Sequence, residues 1–169
     1  FVNNALTPKI GRIRYGLLLS ENGIVMDDGV FARLADDHYL LSTTSANADH
    51  MLDWLEKWQQ CEWPDLDFII LPVTGQWAVV TIAGPNARIL LQEMESDIDF
   101  SSIALPHMAL ATGTLLGVPA RVQRVSFTGE MSFEINIPAE HCQRVIETLM
   151  NAGGDRIEPI GAEALMVLR

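Results

Sequence analysis

Twice in its second half the chain passes from a short apolar, strand-like run through a proline into helical spacing. Residues 77–83, Gly84-Pro85 and 86–94 give the first instance; residues 133–137, Pro138 and 139–152 give the second. Proline fits a helix entrance, where its missing N–H has no intrahelical partner to lose. Each proline therefore marks a strand-to-helix passage. Helices that follow hairpin-type strands imply an α+β fold, with antiparallel or mixed sheets covered by helices on one face.

The first half carries the same ingredients. Residues 12–19, 30–35 and 39–43 read as strands, and 47–59 as a helix whose Met51, Leu52 and Leu55 share one face. Residues 68–73 read as a further strand. The organisation expected is one domain over 1–169, divisible into two lobes of about 1–75 and 76–169. The chain opens on Phe1, and 162–169 has helical spacing with no stop signal, so the sequence reads as a fragment truncated at both ends.

Between two strand-like runs, Asn22-Gly23 reads as the turn of a β-hairpin, because both residues tolerate a positive φ. Alternation along the second strand then puts Asp28 on the face of Ile24, Met26 and Val30, pointing inward unless Gly29 marks a bulge. An acid on a buried face is costly unless it is paired, hydrogen-bonded or functional. Asp28 is thus either a turn-capping carboxylate or a catalytic one. Asp27, on the opposite face, reads as the more dispensable acid.

A second acid stands out at Glu134, in the run Ser126-Phe127-Thr128-Gly129-Glu130-Met131-Ser132-Phe133-Glu134-Ile135. A Thr-Gly turn feeds a strand whose polar face carries this carboxylate. Two adjacent N–H groups, such as those on the pyrimidine edge of tetrahydrofolate, are matched by one ionised carboxylate. A lone strand glutamate is equally a solvated surface residue, so a second feature has to decide.

The charge balance narrows the choice of ligand. Eleven basic against 22 acidic side chains leave a net charge of −11, which opposes nucleic acid or an anionic membrane as partner. A ligand with an anionic tail, such as folate, would need local cations, for which Arg121 and Arg124 are the first candidates, with Arg12, Arg14, Arg33 and Arg169 behind them. The four histidines are scattered, without the i, i+4 spacing of a metal pair, so no metal site is expected. Cys61 and Cys142 form no metal or redox motif and are expected to be reduced. The apolar stretch 103–120 is broken by Pro106, Gly113, Gly117 and Pro119, and no membrane span or leader is read. A cytoplasmic location is the expectation.

Taken together, the two acidic segments resemble the aminomethyltransferase, or T-protein, family, shared by the glycine cleavage T-protein, dimethylglycine dehydrogenase and the α subunit of heterotetrameric sarcosine oxidase. The family's Gly-Gly-x-x-Asp-Asp hairpin is similar to Gly23 to Asp28, and its Tyr-Thr-Gly-Glu-x-Gly-Phe-Glu segment to Phe127 to Glu134. The resemblance implies a T-protein-like folate-binding fold. It implies Asp28 beside the reacting nitrogens of folate as the catalytic acid, with Glu134 as the pterin-binding residue. Phe127 takes the place of the family's Tyr, keeping a ring and losing a hydroxyl, and Thr44 takes the place of an Asn that follows the third strand; the resemblance implies that both bind the cofactor.

Met131-Ser132, Thr43-Thr44, Tyr15-Gly16, Asp27-Asp28-Gly29-Val30, Glu62-Trp63-Pro64-Asp65 and the closing Gly161 to Arg169 resemble the sarcosine oxidase branch. Leu165 stands at an Arg that holds the glutamate tail in the T-protein, which leaves recognition of the tail open. For that branch the resemblance implies a tetrahydrofolate domain that captures the one-carbon unit from sarcosine as 5,10-methylenetetrahydrofolate. Flavin and NAD would sit in other domains or subunits of a hetero-oligomeric oxidase. The alternatives are a glycine cleavage aminomethyltransferase, a dimethylglycine dehydrogenase folate domain, and a non-catalytic folate-binding module.

Overall fold

The computed structural model describes Asn3 and residues 8–169, which divide into two units, 1–74 and 75–169. In the first, β1 (Ile13–Leu19), β2 (Val25–Arg33) and β3 (Tyr39–Ser42) form an antiparallel sheet in the order β1-β2-β3. The β1/β2 hairpin closes through Gly23, whose φ of 78° suits a residue without a Cβ. The amide of Ser20 donates to the carbonyl of Ile24 at 2.8 Å across the turn.

A single 3₁₀ turn, Ser45–Asn47, leads into α1 (Ala48–Cys61), which buries Met51. Trp58 stacks on Trp63 with ring centroids 5.5 Å apart just past the end of α1. Residues 68–73, expected as a strand, pair with no strand among the described residues. Phe68, Ile69 and Leu71 are exposed, and the residues preceding them are occupied by local turns instead.

The second unit holds β4 (Trp77–Ala83), α2 (Ala87–Gln92), β5 (Leu110–Leu115), β6 (Val118–Gln123), β7 (Ser132–Pro138), α3 (Cys142–Gly153) and α4 (Ala162–Leu168). Its sheet is antiparallel, ordered β4-β7-β6-β5, so β7 is an inner strand with a neighbour on each side. Both strand–proline–helix passages form as expected. The broken apolar stretch becomes the β5/β6 hairpin, with Leu116 and Gly117 at positive φ in its turn.

The core lies on one face of this sheet. Phe133, Ile135 and Ile137 of β7 are fully buried there, together with Val122, Leu90, Leu91, Val145 and Leu149. Val145 and Leu149 are four residues apart and project from the same side of α3. Each such side chain contributes about 1.5–3 kcal/mol by leaving water. Period-two alternation consequently fixes the other residues of β7, Ser132, Glu134 and Asn136, on the opposite, polar face. The chain is α+β, with antiparallel sheets and helices laid on one face in the second unit.

Candidate functional site

In the first unit the site is organised by an irregularity in the β1/β2 ladder. Leu18 faces Asp27 while Leu19 faces Val25, so β2 has one residue more than β1 at this point. Val25 and Asp27, two residues apart, therefore lie on opposite faces of the sheet. The bulge falls at Met26 and not at Gly29, which pairs regularly with Gly16. Gly29 is required for another reason: a Cβ there would overlap the carbonyl oxygen of Ser42.

Beyond the bulge the pairing is regular and Asp28 keeps to the face of Val30, yet burial reverses the expected roles of the two acids. Asp27 is the inward one, 6% exposed, and Asp28 is half-buried. Burial pushes the Asp27 carboxyl up, but four hydrogen bonds outweigh it and hold the group below its ordinary value of 3.8. Thr44 Oγ1 donates at 2.7 Å, Asn47 Nδ2 at 3.0 Å, and the amides of Asp28 and Thr44 at 2.8 and 3.4 Å. Asp27 thereby ties β2 to the segment entering α1. The Thr44 hydroxyl, expected to face a ligand, spends its proton on this carboxylate.

Asp28 lies on the other face of β2. Its Oδ2 accepts a hydrogen bond from the Tyr15 hydroxyl at 2.8 Å. Tyr15 is two residues before Leu17, the residue directly opposite Asp28, and this diagonal spacing is within reach of a phenol. Sequence reasoning passed over Tyr15 as a neighbour of Asp28, although the hairpin register contained it.

Replacing Asp27 by Ala should cost about 2–4 kcal/mol, read from chemical denaturation, because charge-assisted bonds are lost together. Its folded pKa is depressed, so the stability it contributes is present above the unfolded value and lost as pH falls through the folded one. The gap between Asp27→Asn and the unmodified protein should accordingly close as the pH is lowered through that range. A gap independent of pH would remove the ionised group as its cause.

In the second unit Glu134 sits opposite Thr81 of β4 and Gln123 of β6. Among the described residues none donates a hydrogen bond to it, and burial pushes its pKa above the ordinary value of 4.5. Beside it Gln123 is 1% exposed, and its Oε1 is buried without a donor. Arg121 faces Asn136 on the same side of the sheet, with its guanidinium 4.1 Å from the centre of the Trp77 ring. Burial draws the Arg121 pKa down.

On this face Glu134 and Gln123 Oε1 are acceptors to which no described residue donates, and the second of them is buried. Glu134→Gln should stabilise the ligand-free protein by about 1 kcal/mol at neutral pH, since it removes a desolvated, unpaired charge. The benefit should fade as pH falls through the raised pKa, where Glu134 is itself neutral.

The other expected residues are placed as follows. Phe127 is 43% exposed in the loop before β7, and the Arg169 guanidinium lies 4.4 Å from its ring centre. Arg124 donates to the Ser132 carbonyl at 3.2 Å and approaches the Phe133 ring; Arg33 is bound to Asp36 and to backbone carbonyls. Asp28 and Thr44 belong to the first unit, Phe127 and Glu134 to the second. Among the described residues no cluster of His, Cys, Asp or Glu could hold a metal ion, and no helix is long and apolar enough to cross a membrane.

The GCVT N-terminal domain family matches residues 1–169. The sarcosine oxidase α subunit of Corynebacterium sp. strain U-96 is 43% identical over 171 residues, an alignment that takes in 100% of this chain and 18% of that protein. The chain thus spans less than a fifth of this relative's length. Glycine cleavage system aminomethyltransferase T from Bartonella henselae superimposes with a TM-score of 0.78 and 27% identity, covering 99% of this chain and 42% of that one. Heterotetrameric sarcosine oxidase from Corynebacterium sp. U-96, solved with pyrrole 2-carboxylate, gives a TM-score of 0.63 over 90% of this chain and 69% of that one; at 18% identity the likeness is one of fold.

Proposed function

The chain belongs to the GCVT N-terminal domain family, and on that premise we propose that it is part of the tetrahydrofolate-binding domain of a sarcosine-oxidase-type α subunit. The observation that carries this reading is Glu134, a half-buried carboxylate on the inner strand of its sheet to which no described residue donates a hydrogen bond. Two adjacent N–H donors of a pterin edge would supply what it lacks, and Gln123 Oε1 offers a further acceptor beside it.

Tetrahydrofolate supplies two nitrogens that together take up a one-carbon unit as a methylene bridge, with loss of water when the donor is formaldehyde. Asp28 is the residue assigned to that step. Its carboxylate stands partly open to solvent, held from one side by the Tyr15 hydroxyl, and can accept the proton that an attacking amine gives up. Phe127 offers a ring for apolar contact, and Thr44 acts through Asp27, keeping the strand that carries Asp28 in place. Flavin, NAD and the amine oxidation itself are assigned to other parts of the parent oxidase and its other subunits, with the whole in the cytoplasm.

The test uses the complete parent oxidase with all its subunits. Tetrahydrofolate should bind at micromolar concentration, and sarcosine turnover in its presence should yield 5,10-methylenetetrahydrofolate in place of free formaldehyde. Formaldehyde released in undiminished amount would overturn the reading. The likeness to aminomethyltransferase T favours one second reading, transfer from a lipoyl-bound aminomethyl group. Turnover with a lipoylated carrier protein, and none with sarcosine, would select it.

A further inference from the structure

Residues 68–73 have the composition of a strand without a strand's neighbours. Ile69 and Leu71 are 80% and 73% exposed, and Trp63 and Leu66 stand open to solvent just before them. Phe68 is held at both of its backbone groups: its amide donates to the Leu66 carbonyl at 3.1 Å, and its carbonyl accepts from Gln59 Nε2 at 2.6 Å. Past Phe68 the anchoring stops. No described residue hydrogen-bonds to the backbone of residues 69–72.

An apolar run with open N–H and C=O groups is a template for a further strand, and left open it is an aggregation site. Proteins blunt such a template with charges along it, with prolines, or with a cover. Residues 69–71 are Ile-Ile-Leu and carry no charge, and Pro72 removes the N–H of one position beyond them. A cover is the remedy that remains.

We propose that residues 69–71 receive an added strand from a part of the parent subunit that lies outside residues 1–169. This rests on membership of a longer subunit, as read above, and not on folate. The sarcosine oxidase α subunit of strain U-96 is aligned over 18% of its length, so more than four-fifths of such a subunit lies outside this chain and is tethered to it. Tethering gives a strand of the same subunit an effective concentration of about millimolar, an advantage that a second copy or a separate subunit lacks. The flanks set the charge of the occupant. Glu62, Asp65 and Asp67 precede the run, and no basic residue occurs between Lys57 and Arg88. The strand that fits is apolar where it pairs and carries Lys or Arg where it passes Asp65 and Asp67.

Hydrogen–deuterium exchange in the complete parent oxidase, without folate, reads the pairing. A strand added along one edge protects alternate amides, either Ile70 or the pair Ile69 and Leu71, and strands on both edges protect all three. The protected amides should exchange about 100-fold or more slowly than those of an open chain. Open-chain rates throughout 69–71 would overturn the proposal.

A photo-reactive benzophenone at position 69, introduced as Ile69→p-benzoylphenylalanine in the same oxidase, identifies the occupant, because on illumination it inserts into neighbouring C–H bonds. The adduct should map to the same subunit outside residues 1–169. An adduct to another subunit, to a second copy or to residues 1–169, or no adduct at all, would overturn the assignment. Should that variant fail to assemble, the same group at Asp67, outside the apolar run, takes its place. The folate reading stands or falls separately: an oxidase that shows this protection and forms no methylenetetrahydrofolate keeps the added strand and loses the pterin site, and the reverse result does the opposite.

Discussion

Glu134→Ala in the complete parent subunit is expected to weaken tetrahydrofolate binding by about 100-fold or more, measured by titration. The carboxylate stands on an inner strand between Thr81 and Gln123, with its polar atoms unsatisfied by the described protein. Two bonds from ligand N–H groups to a charged acceptor are each worth about 1.5–3 kcal/mol, so losing both removes roughly 3 kcal/mol at least. The ligand's donors would then be buried against an alanine methyl, which adds to the loss. Binding within a few-fold of the unmodified protein would dismiss Glu134 as the pterin anchor. The folded state should survive the change, because the residues that pack the core from β7 are Phe133, Ile135 and Ile137.

Asp28→Asn is expected to act on rate instead of affinity. Asn has nearly the same shape and can still engage the Tyr15 hydroxyl, which bonds the Asp28 Oδ2 at 2.8 Å, but it cannot take a proton. Single-turnover formation of methylenetetrahydrofolate should slow by about 10² to 10⁴, the usual worth of a positioned general base, with tetrahydrofolate affinity within about 3-fold. Formation at an unchanged rate would remove Asp28 as the base. An affinity loss equal to the rate loss would make it a binding residue. Tyr15→Phe provides the graded comparison, since it leaves the carboxylate in place and removes only the group that orients it.

Much of this architecture is written in local sequence. The two prolines announced their strand-to-helix passages, because Pro85 and Pro138 act through φ and a missing N–H within a few residues. Asn22-Gly23 gave the first hairpin for the same reason. The faces of β7 could be read from Phe133, Ile135 and Ile137 alternating with Glu134 and Asn136. Which side of β2 is covered could not, because Asp28 does share the face of Val30, yet that face is open at Tyr15, while Thr44 and Asn47, about twenty residues on, close over Asp27. The expectation that Asp28 points inward failed there, and the one that Asp27 is dispensable failed with it.

The segment 68–73 was misread because its apolar residues fit a strand, whereas a strand needs a paired neighbour and this segment pairs with none among the described residues. Hidden for the opposite reason was the β5/β6 hairpin. Its turn uses Leu116 at a φ of 53°, a conformation that a leucine does not advertise. Asp28 and Glu134 were both legible as acids of interest. Tyr15, Gln123 and the stacking of Arg121 on Trp77 emerge only from register, which pairs residues far apart in the chain.

The contact between Gly29 and the Ser42 carbonyl has a bearing on how this hairpin tolerates change. Two residues beyond Ser42, Thr44 reaches Asp27, so a methyl at position 29 would lever away the same segment that the carboxylate holds down. The two positions guard one joint and their defects should overlap: in a protein already lacking the Asp27 carboxylate, Gly29→Ala has less left to break, and the combined loss falls short of the sum. Substitutions here would then be epistatic, with the tolerance of one site set by the occupant of the other.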